Sequence, residues 1–209
     1  MPETGRLEAA GIRFAYGHRV VVDDLHLTVG EGEIVGLRGP SGCGKTTVGR
    51  ILAGHVSPDS GTITIDGRHP TDRGVYPVQL VLQHPEHAVN PRWRLRQILA
   101  EAGDPPDGLL GELAIADNWL DRYPNELSGG ELQRIAVARA LTASPRFLVA
   151  DEISAMLDAA TQANLWQVIL NQAATTGLGV LAISHDDALL HTVAHRTIDL
   201  PPTPIAVRP

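Results

Sequence analysis

Gly39-Pro40-Ser41-Gly42-Cys43-Gly44-Lys45-Thr46 is an unbroken G-x-x-x-x-G-K-[ST] run, and its residue types suit one task, the holding of a polyphosphate. Glycines let the backbone bend around an anion, so that several N–H groups point at one phosphate. A helix starting here adds the partial positive charge of its amino terminus. Lys45 bridges phosphate oxygens as a point charge, and the Thr46 hydroxyl is placed to ligate Mg²⁺. Residues Gly39 through Thr47 are therefore the candidate nucleotide-binding loop. Cys43 lies inside it and reads in two ways: a small filler, or a thiol whose pKa is lowered by the helix end.

A second run, Arg146-Phe147-Leu148-Val149-Ala150-Asp151-Glu152, is an apolar strand that ends in two carboxylates. Such a strand buries its length and delivers the acids to the sheet edge where a phosphate loop lies. Asp151 would steer Mg²⁺ through its ligand shell, and Glu152 would polarise an attacking water as general base. Loop and acid pair together point to hydrolysis of ATP, with ATP and Mg²⁺ as the implied ligands.

These residues need a scaffold that brings two distant segments to one edge. Arg19 to Val22, Leu25 to Val29 and Gly61 to Gly67 are β-rich runs, the last two alternating apolar and polar. Glu33 to Leu37, Val78 to Leu82, Phe147 to Ala150 and Leu178 to Ile183 are short apolar runs that suit buried strands of a parallel sheet. Leu165, Val168, Ile169 and Ala173 recur at helical spacing, which predicts a helix over about 159–174. Strand and helix alternate, so the fold class is α/β with its site at the carboxyl ends of the strands. Residues 86–126 lack strand signals and carry helical runs at Leu95 to Ala102 and Leu109 to Leu120, which predicts a helical insert over about 86–135. We expect one domain over 1–200 and an extended tail over 201–209, where prolines exclude a helix.

Composition narrows the classes. The chain has 209 residues and a formal net charge of −7, which argues against nucleic acid as a partner. One cysteine excludes an internal disulfide framework. No run approaches the ~20 apolar residues of a membrane-spanning helix. Met1-Pro2-Glu3-Thr4 lacks the basic start of a secretory signal.

Leu127-Ser128-Gly129-Gly130-Glu131-Leu132-Gln133-Arg134 is a further anion-site pattern, a serine and two glycines opening a helix. Lying between the phosphate loop and the acid-ended strand, it resembles the signature of ATP-binding cassette (ABC) ATPases. Other landmarks then match that family in order. Tyr16 resembles the aromatic that stacks on adenine, and Gln83 the Q-loop glutamine that touches Mg²⁺. Ser154 to Asp158 resembles the D-loop. His185 resembles the switch histidine that contacts the γ-phosphate. Asp151-Glu152-Ile153-Ser154 places Ile153 where the family usually has proline; with Gln83-His84-Pro85 and Asn90-Pro91-Arg92 it is similar to the oligopeptide, dipeptide and nickel importer branch.

The resemblance implies a P-loop NTPase fold with a mixed sheet, a small antiparallel β subdomain and the helical insert. It implies that Lys45, Glu152 and His185 are catalytic, that Thr46, Gln83 and Asp151 surround the metal, and that two cassettes pair head to tail. Ser128, Gly129, Gly130 and Asp158 would then serve the partner's nucleotide. A separate membrane permease, a second cassette and, for an importer, a substrate-binding protein follow as partners, with the chain cytoplasmic at the inner face of the membrane. A soluble cassette ATPase that assembles macromolecules, of the iron–sulfur scaffold type, is the other expectation. His84 with His87 and His191 with His195 carry suggestive spacings, the second i, i+4 on one helical face. They read better as solvated histidines on loops and helix ends.

Overall fold

A computed structural model of the chain describes residues 5–70 and 76–201. The reading of residues 1–4 and of the tail beyond Pro201 lies outside the described residues. The chain opens with three antiparallel strands, β1 (Arg6–Tyr16), β2 (Arg19–Gly30) and β4 (Ser60–Ile65), in the order β2-β1-β4. Five further strands form a second sheet: β3 (Ile34–Arg38), β5 (Val78–Val81), β6 (Phe147–Asp151), β7 (Gly179–Ile183) and β8 (Arg196–Asp199). Their order is β5-β6-β7-β3-β8 and every pairing is parallel. The small antiparallel subdomain that the resemblance implied is present, and the larger sheet, expected to be mixed, is parallel throughout.

The central strands β6 and β7 are buried at every residue, and their period of two feeds two cores. Phe147, Val149, Leu181 and Ile183 pack with the small sheet and with Val48, Ile51 and Leu52 of helix α1 (Lys45–Leu52). Leu148, Ala150, Val180 and Ala182 pack on the opposite side with Ile135 and Val137 of α4 (Gly129–Thr142) and with Leu165 and Ile169 of α5 (Ala159–Thr176). Each such fully buried aliphatic side chain contributes about 1.5–3 kcal/mol, so the strand that ends in Asp151 is anchored on both faces.

The helical insert holds α2 (Leu95–Ala100), the single turn α3 (Leu109–Glu112) and then α4, which runs past 135 to Thr142. The Leu109 to Leu120 run is not one helix. Leu113 is fully buried and Ile115 nearly so; between them Ala114 adopts φ 50 and turns the chain, so both side chains reach the core. A 3₁₀ turn at Asp117–Trp119 follows. The last helix, α6 (Asp187–Val193), leads to β8. Among the described residues no helix is long and apolar enough to cross a membrane.

Candidate functional site

Strand β3 ends at Arg38 and α1 begins at Lys45, so the phosphate loop is the whole connection between them. Gly44 caps α1 at φ 105, with no side-chain cap and no acid in the first turn. The amino-terminal N–H groups of α1 are therefore not taken by a side chain. A Cβ on Gly44 would stand 2.8 Å from the Val21 carbonyl oxygen, so only glycine lets β2 lie this close to the loop. The Lys45 ammonium donates to the Gly39 carbonyl at 2.7 Å and to that of Pro40 at 3.2 Å. The Cys43 side chain is 4% exposed and packs in the apolar cluster beneath the loop. That burial fits the filler reading of Cys43 better than that of an accessible, alkylation-sensitive thiol.

Asp151 ends β6 at 3% exposure. Burial pushes its carboxyl above the ordinary range; the Thr46 hydroxyl bond and the Lys45 charge oppose this, and the Glu152 charge adds to it. Glu152 sits at φ 54, its N–H held by the Ile183 carbonyl at 2.9 Å. A non-glycine residue in that region is strained, and here the left-handed turn swings the carboxylate out of the strand line. Its Oε2 lies 2.6 Å from His185 Nδ1, the glutamate side chain 14% exposed and the histidine 70%.

A cleft of about 400 Å³ gathers Tyr16, Ser41, Gly42, Gly44, Lys45, Thr46, Thr47, Gln83, Asp151 and Glu152. Tyr16 is half exposed there, braced edge-on by Phe14 at 4.8 Å. Gly39, Pro40 and Cys43 support this cleft without lining it. His185 does not line it either; it reaches the site through Glu152 and borders a smaller cavity behind the glutamate with Ser154 and Trp166.

The signature residues lie elsewhere. Ser128, Gly129, Gly130 and Glu131 share a groove of about 430 Å³ with Met156, Leu157 and Asp158. Ser128 caps α4: its Oγ accepts the Glu131 N–H at 3.3 Å, and its own N–H donates to the Glu131 carboxylate at 2.7 Å. Asp158 caps α5, accepting the Ala160 and Thr161 N–H groups, both at 3.0 Å. Among the described residues the signature and the phosphate loop thus line two grooves with no residue in common.

Sequence reasoning missed the supports of these loops. Gln133, 3% exposed, donates from Nε2 to the Leu82 carbonyl at 3.1 Å, tying the signature helix to the residue before Gln83. The Trp166 indole N–H donates to Ser154 Oγ at 3.1 Å and pins the D-loop to α5. A glutamine among the apolar positions Leu132, Ile135 and Ala136 was the one local signal. The His84 and His87 rings do lie together, 5.7 Å apart, whereas His191 and His195 do not share a helix, and among the described residues no group of three or more His, Cys, Asp or Glu side chains could hold a metal ion. His84 pairs with Glu86 at 3.3 Å. His191 lies in the last turn of α6, whereas His195 lies beyond it, with Nδ1 accepting the Ile34 N–H at 2.9 Å.

Residues 22–155 match the ABC transporter family. The chain belongs to that family. This cassette is 36% identical over 211 residues to a peptide import ATP-binding protein of Brucella abortus (strain 2308), covering 88% of this chain and 63% of the relative. It is 33% identical over 208 residues to the nickel import system ATP-binding protein NikE of Staphylococcus aureus (strain bovine RF122 / ET3-1), covering 93% of this chain and 86% of that one. The cassette spans 63% of the length of the Brucella abortus relative, and between 55% and 70% of the other peptide-import relatives compared. Among solved structures, the dimeric bacterial ABC transporter cassette MJ0796 superposes with a TM-score of 0.82 at 22% identity, over 94% of this chain and 95% of that one. The fold is therefore the ABC ATPase cassette fold.

Proposed function

We propose that this cassette binds ATP in the cleft between Tyr16 and Glu152, hydrolyses it, and so energises import of a solute through a separate membrane permease. The observation that carries this reading is the convergence of a lysine and two carboxylates, one of them the histidine-bound Glu152, on one phosphate-loop cleft. Tyr16 stacks on the base, and the N–H groups of α1 with Lys45 hold the β- and γ-phosphates. Lys45 must leave the Gly39 and Pro40 carbonyls to do so. The hydrogen-bonded Thr46 and Asp151, with Gln83 facing them, present the hard oxygen donors that Mg²⁺ takes. When bound, Mg²⁺ neutralises charge on the phosphate oxygens. Glu152 accepts the proton of the attacking water, and His185 orients the Glu152 carboxylate and meets the γ-phosphate.

Ser128, Gly129, Gly130 and Asp158 complete the site of a second cassette, since their groove lies apart from the chain's own cleft. The helical insert after Gln83 passes the resulting motion to the permease, and the cassette works at the inner face of the membrane. The names of the relatives support a peptide or nickel cargo, which the permease and a substrate-binding protein select. The reading is tested by ATP turnover with Mg²⁺ in wild type and Glu152→Gln. The variant is expected to bind ATP as wild type does and to turn over about 10²-fold more slowly or less; near-normal turnover would overturn the assignment.

A further inference from the structure

Arg19 opens β2 directly across from Tyr16, the two being register partners on either side of the tight turn at Gly17 and His18. Strand periodicity puts Arg19 and Val21 on one face, and both line the nucleotide cleft. The close approach of Val21 to Gly44 fixes how β2 lies against the phosphate loop. Arg19 is therefore carried on the same hairpin as Tyr16, two residues along β2 from Val21.

Its charge has no other use. Arg38, Arg146 and Arg196 are each held by carboxylates, Asp199, Glu31 and Glu33. Among the described residues, the Arg19 guanidinium has no hydrogen-bonding or ionic partner. An exposed, unpartnered arginine beside a cleft built for a polyanion needs an acceptor from outside the chain. The order of groups along the cleft says which one. Tyr16 marks the end that takes the base, and Lys45, Thr46 and Asp151 mark the end that takes the β- and γ-phosphates. Between them come the ribose and the α-phosphate.

We propose that Arg19 is a nucleotide-binding residue whose guanidinium grips the α-phosphate, a fork that matches two phosphate oxygens. The proposal rests on the nucleotide-cleft reading and deepens it. Arg19 then holds ATP and ADP alike, so it sets how firmly the nucleotide stays after the γ-phosphate has left, whereas Lys45 senses the outer phosphates.

The test is a titration of wild type, Arg19→Ala and Arg19→Lys with ADP and with ATP at two salt concentrations, alongside thermal melts without nucleotide. Arg19→Ala is expected to weaken ADP and ATP binding equally, by about 10-fold, the order of one hydrogen bond to a charged group. Its affinity should also depend less on salt, Arg19→Lys should recover part of the loss, and the melting temperature should not move. Unchanged affinity for ADP would overturn the contact, and loss confined to ATP would overturn the α-phosphate assignment. A loss that comes with a lowered melting temperature and is not recovered by lysine would make Arg19 structural. If wild type itself binds neither nucleotide, the cleft reading fails; if only the Arg19 variants behave as wild type, the role of Arg19 fails and the cleft reading stands.

Discussion

Two helices of this chain start at glycine-rich turns suited to phosphate, and they are finished differently. Helix α1 starts from Gly44 with no side-chain cap, no acid in its first turn and Lys45 as its first residue. Helix α4 starts from Ser128, with Glu131 folded back onto the Ser128 N–H. An anion arriving at α1 meets a lysine and open N–H groups. An anion arriving at α4 meets a carboxylate already at the helix end, and Arg134 nearby is committed to the Ala114 carbonyl at 2.9 Å and stacked on Trp119 at 4.8 Å. On the proposed function, the first turn is a complete phosphate cradle and the second a partial one, suited to a γ-phosphate whose charge is mostly met from another surface.

Lys45→Ala strikes the complete cradle and has the largest expected effect. Nucleotide affinity of the isolated chain should fall about 10- to 100-fold, the range for lost charge-assisted bonds, read by equilibrium titration with ATP. Affinity equal to wild type would place the phosphates elsewhere. Gly44→Ala attacks the same helix start through the backbone. A left-handed alanine costs about 1–2 kcal/mol, and the approach to the Val21 carbonyl adds to it. Both stability in urea and ATP affinity should drop; an unchanged urea midpoint would contradict the close packing of β2 on the loop.

Ser128→Ala is the matched cut in the partial cradle. It should remove about 1 kcal/mol of stability by loss of the cap while leaving ATP affinity of the isolated chain as it was. Weaker ATP binding by the single chain would erase the distinction between the two helix starts. The smallest effect belongs to Glu131. The Ser128 backbone bond holds its carboxyl below the usual range, so ionised Glu131 stabilises the fold above the ordinary glutamate pKa. That contribution is lost as pH falls through the lowered value. Glu131→Gln should therefore lose less stability than wild type between about pH 5 and pH 3, measured by urea midpoints across that range. An identical acid limb would mean the capping box is not formed in solution.

Those local differences explain what could be read from the chain beforehand. Motifs that act through their own backbone turns, the phosphate loop, the Ser128 cap and the Asp151-Glu152 strand end, sit where their spacing put them. The buried strands β3, β5, β6 and β7 and helix α5 were legible because each carries its own apolar pattern. Strand β1 was not, since irregular pairing around Ala9, Ile12 and Phe14 breaks its alternation. Strand β8 was not, being a largely exposed edge strand with Ile198 as its one aliphatic residue. The break at Ala114 depends on which side chains the core demands. Gln133 and Trp166 act across the fold on Leu82 and Ser154, and Arg19 lines a cleft with the distant phosphate loop; no spacing along the chain announces such partners.

The claim that matters most is that each chain holds one complete cradle and lends its partial one to a second chain. It is tested by mixing Lys45→Ala and Ser128→Arg chains, each inactive by itself, and measuring ATP turnover of the mixture. In a mixed pair the intact phosphate loop of one chain meets the intact signature of the other, so turnover should return well above the sum of the separate variants. A mixture no more active than that sum would contradict the shared site between copies of this chain.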